Sequence, residues 1–131
     1  MYKSKTLMNA SGPGIVRRYK DWLGRLPKDV REEARLVVLH DELELPLGAL
    51  KLRKSGSPRG HNGLKSLASA AAGLGSGRPP IMRIGIGIGR PESRESEQVS
   101  RWVLRPLNEQ ERVWLGSEDI VRETMQLLNE I

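Results

Sequence analysis

Residues 82–89 read Met82-Arg83-Ile84-Gly85-Ile86-Gly87-Ile88-Gly89. Isoleucine alternating with glycine has the period of a β-strand, with one branched apolar face and one nearly bare face. The pattern predicts a strand over 82–88 whose bare side lets another segment, often a helix, come close to the backbone. The glycines lack dinucleotide-loop spacing, and Arg90-Pro91 follows them where such a loop would need a helix. Upstream, Leu64, Leu67, Ala68, Ala71 and Leu74 recur at helical spacing over 61–74, between the loops Ser55–Gly60 and Gly73–Pro80. Ala49–Arg53 alternates, with Leu50 and Leu52 on one side and Lys51 and Arg53 on the other, as a half-buried strand does. A turn at Pro46 and Gly48 precedes it. Leu36–Leu39 is a continuous Val-rich run that reads as a buried strand ending at His40-Asp41. A first helix is expected over 14–26, with Ser11 as N-cap and Pro13 in its first turn.

Downstream, Val99–Leu104 reads as a possible fourth strand. A last helix is expected over 108–129, with Asn108 and Glu111 in capping-box spacing. Strands alternating with helices give an α/β fold: one domain over residues 1–131, a layered mixed sheet flanked by helices. The sheet is small for such a domain and looks short of strands on its N-terminal side.

The chain has 131 residues, which bounds it to one domain. It has no Cys, which removes disulfide frameworks, thiol nucleophiles and zinc-thiolate sites, and only two His, His40 and His61. Met1-Tyr2-Lys3-Ser4-Lys5 lacks the apolar core of a secretion signal, and the short apolar runs span no membrane. The net charge of +6 is unevenly placed. Between Glu44 and Glu92 the chain carries Lys51, Arg53, Lys54, Arg59, Lys65, Arg78, Arg83 and Arg90 and no acid. A segregated cationic segment suits a polyanion partner, because neutralising phosphates releases counterions. No aromatic residue lies within 23–101, which argues against a single-strand reader that stacks bases and leaves recognition of a folded nucleic acid by its backbone or end.

No Gly-x-Ser-x-Gly elbow and no phosphate-binding Gly-x-x-x-x-Gly-Lys-Ser/Thr is present. Three polar groups sit at element boundaries. His40-Asp41-Glu42 follows a strand, where a carboxylate either orients an imidazole or faces water in a connecting loop. Its neighbours alternate faces, so His40 and Asp41 do not readily share one metal ion. Asn62, in Gly60-His61-Asn62-Gly63, either caps the helix it opens or presents its amide to a substrate. Asn9, in Thr6-Leu7-Met8-Asn9-Ala10-Ser11-Gly12, has the same two uses.

Thr6–Gly12, His40-Asp41-Glu42-Leu43-Glu44-Leu45-Pro46, Gly60-His61-Asn62-Gly63-Leu64, and Met82–Gly87 with Arg90-Pro91 together resemble the bacterial-type peptidyl-tRNA hydrolase family in order and spacing. Trp102-Val103-Leu104 is similar to the family's segment before its last helix. The resemblance covers essentially the whole chain. It implies hydrolysis of the ester that joins a peptide to tRNA, freeing the tRNA for translation, with no metal and no cofactor. It implies that Asp41 orients a histidine base, and that Asn9 and Asn62 position water and substrate. Leu7, Met8 and His61 are implied as substrate contacts, and Lys51, Arg53, Lys65 and Arg83 as tRNA contacts. Leu7 stands where the family often has an aromatic.

The family's first strand, its Gly-Asn-Pro-Gly loop and its Thr-Arg-His-Asn block, which supplies the base, have no counterpart here. His40 and His61 match other family positions. The resemblance therefore implies an N-terminally shortened chain with little or no turnover of its own. A non-catalytic RNA-binding derivative of the fold is the alternative. A monomer is implied by the family, with an exposed sheet edge prone to aggregation or to a partner. The compartment expected is cytoplasmic or mitochondrial.

Overall fold

Pro13, whose fixed φ suits a first helical turn, lies at the start of α1 (Gly12–Arg25) in the computed structural model, which describes residues 5–131. Ser11 precedes α1 but does not cap it through its side chain. Its Oγ donates instead to the Met8 carbonyl (2.8 Å), closing a 3-10 turn over Met8–Ala10. The described residues fall into two compact units, each drawn from two stretches of chain.

The first unit comprises residues up to Leu36 and Ser55–Ile81. It holds α1, the short α2 (Lys28–Arg31), α3 (Asn62–Ala72) and a 3-10 turn over Gly75–Gly77, inside the segment expected to be a loop. α1 packs on α3. Val16 and Tyr19 of α1 and Leu64, Leu67 and Ala71 of α3 are buried, whereas Trp22, at the same helical spacing, is 46% exposed. The two helices meet at Gly12, whose N–H donates to Ser66 Oγ (3.0 Å). A methyl group at Gly12 would overlap the Ser66 carbonyl, so no larger residue fits this crossing.

The second unit comprises Val37–Lys54 and Met82–Ile131. Its three strands, β1 (Leu36–Glu42), β2 (Leu50–Arg53) and β3 (Ile81–Gly87), stand in the order β1-β3-β2. β2 runs antiparallel to β3, pairing Leu50 with Ile86, Lys51 with Gly85, Leu52 with Ile84 and Arg53 with Arg83. Two sequence expectations about the strands change. β1 extends through His40 and Asp41 to Glu42, so those residues lie in the strand and not beyond it. It is also not fully buried: Leu39 is 43% exposed, because β1 is an edge strand and a continuous apolar run does not by itself give coverage on both faces.

The bare side of β3 is covered by the end of β1 and the connection that follows it, and not by a helix. A methyl group at Gly87 would overlap the Pro46 carbonyl, and one at Gly85 would lie 3.1 Å from Glu42 Cβ. Gly87 N–H donates to the Ala49 carbonyl (2.8 Å), Gly48 N–H to the Gly87 carbonyl (3.2 Å) and Gly89 N–H to the Leu45 carbonyl (3.0 Å), tying the connection to the strand.

Val99–Leu104 is helical, within α4 (Ser96–Leu104). Val99, Trp102 and Val103 have i, i+3, i+4 spacing, Glu97 and Arg101 pair one turn apart, and the residue before Pro106 ends the helix. The expected last helix is two helices, α5 (Glu109–Leu115) and α6 (Glu118–Asn129). Gly116-Ser117-Glu118-Asp119 stops one and starts the other: the Ser117 side chain accepts from Ile120 N–H, and two acids occupy the first turn. The capping box at α5 is present, with Asn108 Oδ1 accepting from Glu111 N–H (2.9 Å) and Glu111 Oε2 accepting from Asn108 N–H (2.8 Å).

Candidate functional site

The first unit brings two asparagines to the end of α3 that adjoins the Met8–Ala10 turn. α3 is capped by His61, whose Nδ1 accepts from Leu64 N–H (3.2 Å). That bond requires Nδ1 to be unprotonated and answers the capping question left by the sequence: His61 is the cap, and Asn62 is the first helical residue, with its side chain exposed. Neither Asn62 nor Asn9 makes a side-chain hydrogen bond among the described residues, so both amides remain available to a ligand. The Met8 side chain lies against the start of α3, where a Cβ on Gly63 would come within 2.6 Å of Met8 Cγ. Leu7, 79% exposed, and Met8, also exposed, add apolar surface beside Asn9. Lys65, one turn into α3, is exposed.

The second unit holds the carboxylates and the sheet cations. Asp41 is half-buried on β1. His40, beside it, is buried, and its Nδ1 donates to the Asp41 carbonyl (2.7 Å), so here Nδ1 carries a proton. The two histidines therefore have opposite assignments at Nδ1, and each has one ring nitrogen committed to the backbone.

Side chains alternate along strands, which sorts the remaining residues by face. Lys51 and Arg53 of β2 share a face with Arg83 and Gly85 of β3, and Glu42 of β1 lies over Gly85 on that same face. Asp41 points to the other face. Of the three cations implied as tRNA contacts on the sheet, Lys51 is exposed, Arg53 is half-buried and Arg83 is 7% exposed. Glu42 Oε2 lies 3.5 Å from Arg53 Nη2, reaching it across the gap that Gly85 leaves in the middle strand. Sequence reasoning missed this pair. The alternating glycines signalled free space, but neither their spacing nor the charge of Glu42 indicates which side chain fills it.

In the same unit, Arg105 Nη1 donates to Glu111 Oε2 (2.8 Å), and the Arg105 guanidinium stacks 4.2 Å from the Trp102 ring centre. The bond from Arg105, then that from the Asn108 backbone, hold the Glu111 carboxyl down at about 2. Among the described residues no group of three His, Cys, Asp or Glu could hold a metal ion, and no helix is long and apolar enough to cross a membrane.

A family described as peptidyl-tRNA hydrolase matches residues 1–131. The peptidyl-tRNA hydrolase of Sulfurihydrogenibium is 38% identical over 113 residues, covering 86% of this chain and 52% of the relative. The probable peptidyl-tRNA hydrolase of Schizosaccharomyces pombe is 39% identical over 130 residues, covering 98% of this chain and 59% of the relative. Among solved structures, a peptidyl-tRNA hydrolase from Acinetobacter baumannii superposes with a TM-score of 0.61 at 28% identity, covering 95% of this chain and 61% of that one. The chain thus spans between half and two thirds of the length of these relatives.

Proposed function

Because the chain belongs to the peptidyl-tRNA hydrolase family, we propose that it supplies the tRNA-binding surface, the substrate amides and the base-orienting carboxylate for hydrolysis of the ester between peptide and tRNA. One observation carries this reading: His61 takes the helix cap, which leaves Asn62 and Asn9 at the same end of one unit with unengaged amides. A structural asparagine in such a place would cap the helix or bond the turn. An amide that can both donate and accept suits an ester carbonyl and the attacking water. Leu7 and Met8 offer apolar surface to the peptide portion, Asp41 is assigned to orient the histidine base, and the cations of residues 51–83 are assigned to tRNA phosphates.

The bond that Leu64 N–H makes to His61 engages the unprotonated ring nitrogen of His61 and supports the expectation that it is not that base. For His40 the expectation rests on the resemblance, in which it matches another family position. The purified chain should therefore bind tRNA while turning over peptidyl-tRNA little or not at all. The test is binding of a non-hydrolysable analogue of the 3′ end of an N-blocked aminoacyl-tRNA, compared with deacylated tRNA. Asn9→Ala and Asn62→Ala should each weaken analogue binding about tenfold, the loss of a neutral hydrogen bond at the upper end of its range. An analogue bound no more tightly than deacylated tRNA, or unaffected by both substitutions, would overturn the assignment of the two amides. Rapid ester cleavage by the chain that is lost on Asp41→Ala would overturn the expectation about its two histidines.

A further inference from the structure

Arg53 and Arg83 are direct partners across the β2–β3 pair, and Lys51 lies on the same face. Like charges in register destabilise a sheet, so this arrangement requires an anion nearby. Glu42 supplies one, and it reaches Arg53 only because the intervening strand has glycine at position 85. The pairing is incomplete. At 3.5 Å it is an ion pair longer than the ~2.8 Å of a well-formed charge-assisted hydrogen bond. Arg53 Nε is buried with no hydrogen-bond partner among the described residues. The guanidinium is thus held by one terminal nitrogen, while the neighbouring donor of its fork stays open.

We propose that Glu42 is an internal competitor for Arg53: its carboxylate presets the guanidinium on the sheet face and lowers the affinity of that face for an RNA phosphate, which must displace it. The proposal rests on the tRNA reading above and adds a residue that tunes binding to it. A phosphate can accept from Nε and a terminal nitrogen side by side, so it satisfies the donor that Glu42 leaves open. Glu42 is therefore a positioning residue, and its effect on RNA passes through Arg53.

The experiment measures deacylated tRNA binding by the full chain between about 50 and 200 mM salt. Wild type, Glu42→Gln, Arg53→Gln and the double variant are compared, with circular dichroism as the check on folding. Glu42→Gln should tighten binding about threefold or more and steepen the slope of log affinity on log salt by about 0.9, the increment for one further phosphate contact. In the Arg53→Gln background the same change should have no such effect. Glu42→Asp keeps the charge but shortens the reach, so it should shift the slope in the same direction and keeps the proposal testable if Glu42→Gln does not fold. A slope unchanged by both Glu42 variants, with wild-type tRNA binding intact, overturns the proposal and leaves the tRNA reading standing. An effect that persists without Arg53 overturns it as well, since Glu42 would then act through the general field. Absence of salt-dependent tRNA binding by the wild type overturns both.

Discussion

The two units use glycine to opposite ends. In the helical unit, Gly12 lets α1 come against the backbone of α3 at Ser66, and the contact is repeated between Met8 and Gly63 at the amide-bearing end. In the sheet unit, Gly85 and Gly87 leave one face of β3 open, and the chain fills that face with its own Glu42 and Pro46. The first unit is held chiefly by apolar packing, with Leu67 and Ala71 almost wholly buried. The second adds charge to packing, through Glu42 with Arg53 and Glu111 with Arg105. The lesson is that the amides proposed to meet substrate stand on a frame whose buried contact is apolar, whereas the cations proposed to meet tRNA are already partly neutralised from within.

The strongest way to break the comparison is steric. Gly12→Ala and Gly87→Ala each place a methyl group on a backbone carbonyl and should lower stability by about 3 kcal/mol or more in urea unfolding. Hydrogen exchange should localise the first effect to α1 and α3 and the second to the strands and the 43–49 connection. A loss under about 1 kcal/mol would show that the backbone yields and that glycine is not required there.

Charge gives the next largest effect. Glu111 bonds Arg105 and closes the capping box, so Glu111→Gln should cost about 2 kcal/mol. Its carboxyl is depressed in the folded chain, so its contribution is complete above 4.5 and is lost as pH falls towards about 2. The melting temperature should drop across that interval in wild type and drop less in Glu111→Gln. Equal acid sensitivity in the two would remove Glu111 from the account.

The smallest effect lies in the helical unit and at the other end of the pH scale. Burial pushes the Tyr19 hydroxyl above its usual 10.0, against a lowering influence from Arg35. A raised pKa means that the contribution is present below 10.0 and is lost as pH rises through the higher folded value. Tyr19→Phe should cost about 0.5 kcal/mol, since the bond to the Ala34 carbonyl is long at 3.5 Å, and it should remove part of the alkaline instability. Thermal melts above pH 10.0 that are unchanged by the substitution would contradict this.

Much of the fold was legible locally. The Ile-Gly alternation, the Leu50/Leu52 alternation and the helical spacing around Leu64 and Leu67 each correspond to an element of the expected type. The failures have specific causes. Val99–Leu104 is short and apolar enough to suit strand or helix, and the flanking Glu97–Arg101 pair and Pro106 favour the helix. Gly116-Ser117 divides one amphipathic pattern because a serine cap followed by two acids starts a new helix. Asn62 offered two readings that no spacing could separate, since both place it at a helix start. The observed cap is the ring nitrogen of His61, one residue earlier.

The sequence by itself determined most of the element types, though not that of Val99–Leu104, together with the uneven charge and the motifs that mark the family, because these depend on residue type and on local period. Tertiary structure alone decided what covers the bare face of β3, which cation Glu42 holds and how far Arg83 is buried. Those outcomes depend on which backbones come close enough to touch, and residues such as Glu42 and Arg53, eleven positions apart, meet only once the middle strand has been laid between them.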